Sequence, residues 1–63
     1  MKASERLRAR RQSLGMTQKE LSKRTGLSVS TISNYERSGT DRAYFCSLVL
    51  LSQALGMPLD EIM

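Results

Sequence analysis

The segment Gln18-Lys19-Glu20-Leu21-Ser22-Lys23-Arg24-Thr25-Gly26-Leu27-Ser28-Val29-Ser30-Thr31-Ile32-Ser33-Asn34-Tyr35-Glu36-Arg37 decides the reading of this chain. Thr17 stands just ahead of it, three positions before Glu20. In that capping-box pattern a hydroxyl accepts from the third helical amide and a carboxylate reaches back to the amide of the capping residue itself. A helix is therefore expected from about Gln18, and Gly26 stops it near Thr25, since glycine takes the left-handed conformation without steric cost. Ser28 is a good N-cap for a second helix over residues 29–37. That second segment is rich in β-branched and short polar residues, which weaken an isolated helix and make a strand the competing reading. Val29, Ile32 and Tyr35 recur every three residues and not every two, so the helical stripe prevails. Two helices that cross steeply need a small residue where their backbones meet, a glycine where the first one ends and a branched apolar residue on the inner face of the second. Ser22, Gly26 and Ile32 occupy those three places.

Outward from this core the four glycines, Gly15, Gly26, Gly39 and Gly56, each follow a stretch with helical apolar spacing and read as helix stops. Residues 4–14 form a basic amphipathic helix, with Leu7 and Leu14 on one face and Arg6, Arg8 and Arg10 around the rest. After a loop at 38–42, residues 44–55 make the most hydrophobic helix, aligning Phe45, Leu48, Val49, Ser52 and Leu55. Pro58 suits the first turn of a short fifth helix, since its missing amide would be unpaired there anyway, and Leu59 and Ile62 turn inward. No repeat or low-complexity tract interrupts the pattern.

Length and charge narrow the function. A chain of 63 residues makes one domain, residues 1–63, and folding hides only roughly 60% of its unfolded surface, too little for a deep substrate cleft. All ten Lys and Arg lie in residues 1–42 beside four acids, whereas residues 43–63 hold two acids and no base, so the two parts carry +6 and −2. The basic part is suited to a polyanion, with a solvated basic surface as the plainer alternative. Cys46 is the single cysteine and histidine is absent. No disulfide framework, metal site or cofactor is expected, and a reducing cytoplasm fits. Next to Phe45, Cys46 reads as a small packing residue. The apolar run Leu48-Val49-Leu50-Leu51 falls far short of the ~20 residues of a membrane span. Without histidine, a carboxylate pair or a Gly-rich loop, an enzyme acting on a small-molecule substrate is not expected.

Three collinear phrases, Gly15-Met16-Thr17-Gln18-Lys19-Glu20-Leu21, Leu27-Ser28-Val29-Ser30-Thr31-Ile32-Ser33-Asn34-Tyr35-Glu36 and Leu55-Gly56-Met57-Pro58-Leu59-Asp60-Glu61-Ile62, resemble the helix-turn-helix family of the phage lambda repressor and Cro. The similarity runs from Arg6 to Ile62. It implies an all-α, compact five-helix lambda repressor-like domain, with the helix-turn-helix at about 18–37, whose third helix enters the major groove of double-stranded DNA. It also implies a sequence-specific transcriptional regulator, most simply a repressor. Gln18 matches the family's glutamine that bonds a phosphate and braces the base-reading side chains. On helix 3, with Ile32 and Tyr35 buried, Ser28, Val29, Ser30, Ser33 and Asn34 face bases and phosphates. Asn34 suits adenine N6 and N7, and Val29 suits a thymine methyl or partial burial. Arg37 and Arg42 flank the helix as phosphate contacts. Arg11 and Glu36 match a structural ion pair that fixes helix 1 against helix 3.

Departures from the family pattern fall in one loop and at one crossing. Ser38 is one residue more than the usual spacing, Ala43 stands where proline is common, and Asp41 opposes phosphate unless it caps helix 4. Ser22 replaces the usual alanine, which requires its hydroxyl to bond back to its own helix. The domain is expected to bind a two-fold-related operator as a homodimer, with Met57, Leu59 and Met63 as contact residues. The competing class is a protein-interaction module, such as an antitoxin, that does not read DNA; salt-dependent duplex binding separates the two. The length fits both a complete small regulator and the DNA-binding portion of a longer repressor.

Overall fold

The computed structural model describes residues 2–63. They form α1 (Ala3–Ser13), α2 (Gln18–Thr25), α3 (Val29–Ser38) and α4 (Phe45–Leu55), followed by a 3-10 turn at Leu59–Glu61, with no strand among them. The expected fifth helix is thus only a single turn. Pro58 stands ahead of it, extended at φ −63° and ψ 146°, and not inside it.

The helix boundaries follow the local chemistry. Thr17 and Glu20 form the full capping box: the Thr17 hydroxyl accepts from the Glu20 amide at 3.1 Å and the Glu20 carboxylate accepts from the Thr17 amide at 3.4 Å. Gly26 ends α2 in the left-handed region at φ 78°. Ser28 caps α3 by accepting from the Thr31 amide at 3.1 Å. Ser38, the additional residue, lengthens α3 by one position before Gly39, so the insertion is absorbed at a helix end. Asp41 does not cap α4; Tyr44 holds that position without a side-chain bond.

Leu7, Met16, Leu21, Ile32, Leu51, Leu55, Met57 and Ile62 form one buried cluster, with Leu27, Tyr35, Ala54 and Leu59 packed partly against it. Helix α1 buries Ser4, Leu7 and Arg11, while Leu14, expected inside, is 44% exposed at the helix end and Met16 fills the core in its place. Helix α4 buries Ser47, Leu48, Leu51 and Leu55, leaving Phe45 and Cys46 exposed and Val49 half-buried. At 100° per residue the buried face is turned by about 80° from the expected stripe. Leu48-Val49-Leu50-Leu51 is apolar all round, so periodicity alone cannot choose its inner side. Cys46 is accordingly a surface thiol and not a packing residue. Met57 is buried and therefore unavailable as a dimer contact, whereas Met63 is exposed.

Polar side chains tie the helix ends together. Ser22 does not bond back to its own helix; its hydroxyl donates to the Leu27 carbonyl in the turn. Ser52 repeats the arrangement in α4, donating to the Met57 carbonyl just past Gly56. The Thr40 hydroxyl, buried, donates to the Ile62 carbonyl and clips the α3–α4 loop to the C-terminal turn. Three arginines of α1 also face carbonyl oxygens: Arg6 donates to Glu61, Arg10 to Leu55 and Arg11 to Met16. These bonds satisfy carbonyls at helix ends, Leu55 and Glu61, and in the adjoining turns, which would otherwise need water.

Candidate nucleic-acid interface

Helix α3 packs on α1 and α2 through Ile32, which is fully buried, and Tyr35, which is half-buried. The opposite side carries Val29, Ser30, Ser33, Asn34 and Arg37, which at 100° per residue fall within an arc of about 140°. Ser30, Asn34 and Arg37 are exposed, Val29 is 40% exposed and Ser33 is half-buried. Ser28, at the start of the same face, has its hydroxyl engaged as the N-cap and paired with the Thr31 hydroxyl at 2.8 Å.

Glu36 is the only acid of α3 and it is turned away from this face. Its carboxylate takes two bonds from Arg11, Nε to Oε2 at 2.7 Å and Nη2 to Oε1 at 2.9 Å, with side-chain exposures of 11% for Arg11 and 4% for Glu36. Gln18 Nε2 donates to the same Oε1 at 3.3 Å. One carboxylate thus joins α1, the start of α2 and the end of α3. The bond from Glu36 raises the Arg11 pKa above its ordinary value, against the opposing effect of burial, so the guanidinium stays charged throughout the physiological range. The fork-on-fork geometry fixes the angle of α3 as well as its position.

Above this pair lies an open basin of about 410 Å³ lined by Arg8, Arg11, Gln18, Ser33, Glu36 and Arg37. Gln18, Ser33 and Arg37 are brought together there. Arg8, which sequence reasoning had counted only as general basic surface, joins them. Its signal was present: Arg8 lies three residues before Arg11 and so shares its side of α1. Arg42 is exposed on the α3–α4 loop and lines a separate depression with Asn34, Ser38 and Asp41. Arg37 Nη2 donates to Asn34 Oδ1 at 2.6 Å, so these two side chains form a pair. Ser28, Val29 and Ser30 extend the surface at the other end of α3 and line neither hollow.

A short capped helix, a glycine turn and a second helix with a small-residue outer face, braced from behind by an ion pair, together define a helix-turn-helix unit. The helix-turn-helix family model matches residues 7–62, and the chain belongs to that family, in its Cro/C1 type, whose members are DNA-binding regulators. Comparison with curated proteins and with solved structures returns no match. Among the described residues no helix is long and apolar enough to cross a membrane.

Proposed function

We propose that this protein is a transcriptional repressor that binds double-stranded DNA as a homodimer on a two-fold-related operator, with α3 in the major groove. The observation that carries this reading is the outer face of α3. It presents small or donor-bearing side chains, while the helix's one carboxylate is held inward by Arg11 and Gln18. A groove lined by base edges and bordered by phosphates favours such a face, because short side chains allow close approach and no exposed anion on the helix repels the backbone. Val29, Ser30, Ser33 and Asn34 address base edges, with Ser28 at the helix start. Gln18, Arg8 and Arg42 address phosphates. Inside the helix-turn-helix, Gln18 also connects phosphate to the brace, since its amide reaches Glu36.

Selection of bound duplexes from a random pool, followed by titration at two salt concentrations, tests this reading. A two-fold-related site and a steep fall in affinity with salt are expected, because each neutralised phosphate releases counterions. A partner-binding module that does not read DNA would yield neither an enriched site nor such a slope.

A further inference from the structure

Asn34 and Arg37 stand one turn apart on the outer face of α3, both exposed, and the guanidinium donates to the Asn34 side chain. A guanidinium has no acceptor, so the amide atom it meets is the carbonyl oxygen, and the NH2 group points the other way. The oxygen therefore already holds a charged donor. What the pair offers outward is a row of N–H groups: two on Asn34 and four of the five on Arg37.

Adenine does not match that row. Its major-groove edge couples the N7 acceptor to the N6 amino donor, and asparagine reads it by accepting from N6 with the same oxygen that already accepts from Arg37, which leaves one lone pair crowded by the guanidinium. A positive guanidinium beside that oxygen also repels the amino hydrogens. Guanine presents two acceptors side by side, N7 and O6, which match adjacent N–H donors and attract the positive charge. Resting on the assignment of α3 to the major groove, we propose that Asn34 and Arg37 act as one donor unit that reads guanine. Arg37 is then a specificity-determining residue, and not a phosphate anchor. Arg37 sets the preference twice over, by supplying donors and by holding a positive charge against the acceptor that would admit adenine.

The test uses the full chain, with melting temperature as a check that the exposed substitutions leave the fold intact. The site recovered by selection is varied one base pair at a time, and wild type, Asn34→Ala, Arg37→Ala and Arg37→Lys are titrated on each duplex. At the position where Asn34→Ala changes the preference, wild type should favour guanine over adenine by about tenfold. Arg37→Ala should shift that position to adenine as the Asn34 oxygen is released, and Arg37→Lys should blur it. The proposal is overturned if wild type prefers adenine there, if Asn34→Ala changes no position, or if Arg37→Ala weakens every duplex equally and keeps the guanine. Salt-dependent binding of wild type to duplex is measured in the same series. Its absence sinks the groove assignment itself, whereas its presence without a guanine preference sinks only the donor unit.

Discussion

Glu36 is the residue on which three helices depend, and its loss should show in stability before it shows in recognition. In Glu36→Ala the Arg11 guanidinium, its side chain only 11% exposed, is left without a counter-ion. Breaking one side of a buried pair costs about 3–5 kcal/mol. A chain of 63 residues has roughly 3–9 kcal/mol of total stability, so this one change removes a large share of it. Urea denaturation of Glu36→Ala should give a loss in that range, with base preference unchanged in whatever fraction remains folded. A loss under about 1 kcal/mol would mean that the pair behaves like an exposed one. Arg8 should behave in the opposite way. Exposed at the rim of the basin, it has no brace to break, so Arg8→Ala should leave the melting temperature alone. It should weaken binding to specific and random duplexes alike and lower the salt slope by about one.

At the scale of the element, the turn between α2 and α3 is set by Gly26. Its φ of 78° is left-handed, and a Cβ built there meets no atom within 4 Å. Gly26→Ala is therefore strained by the backbone alone, and thermal unfolding should record a loss of about 1–2 kcal/mol. A loss above about 3 kcal/mol would point to a steric clash that the geometry does not contain. This turn was legible in the sequence because each of its parts has a local signature: Thr17 and Glu20 at capping-box spacing, Gly26 at the stop, and Ser28 as N-cap. The period of three in Val29, Ile32 and Tyr35 likewise outweighed a strand-like composition. The face of α4 was not legible. Its centre is apolar on every side, and the choice between Phe45 and Leu51 is made by α2 and the C-terminal turn, which pack against it. Arg6 and Arg10 of α1 were misread for a different reason, whereas the pairing of Arg11 with Glu36 was read correctly. Counting charge shows that Arg6 and Arg10 are basic, but bonds to the carbonyls of Glu61 and Leu55, like the further bond of Arg11 to Met16, have no spacing rule that a sequence displays. The same holds for Asn34 and Arg37, whose i, i+3 spacing allows contact without saying which atoms meet.

The whole molecule measures 22 × 21 × 20 Å, which bears directly on how two copies would share an operator. Half-sites lie about 34 Å apart, so each recognition helix sits about 17 Å from the two-fold axis. That distance is less than one molecular width, so two copies can touch across the axis without a further domain. The contact surface must then be exposed and apolar. Met57 fails the first condition because it is buried in the core. Tyr44, Phe45 and Met63 meet it, at 77%, 64% and 63% exposed, and Phe45 and Met63 line one shallow depression with Leu48, Ala43 and Thr40, with Asp41 as its one charged member. Thr40 also holds the C-terminal turn to the α3–α4 loop, which keeps Met63 beside Phe45. An apolar patch of this kind is better covered than solvated, and a two-fold contact covers the same patch on both copies. Phe45→Asp should therefore weaken binding to the complete two-fold operator by at least tenfold, since each copy would lose its largest apolar contact and two further carboxylates would join Asp41 at the axis. Binding to an isolated half-site should fall by much less, and the melting temperature of the free protein should hardly move, because Phe45 contributes little to the core. Gel-shift titrations on both duplexes decide it: equal weakening on half and full sites would place the contact elsewhere on the surface, and a wild-type protein that saturates the full site as independent monomers would remove the dimer altogether.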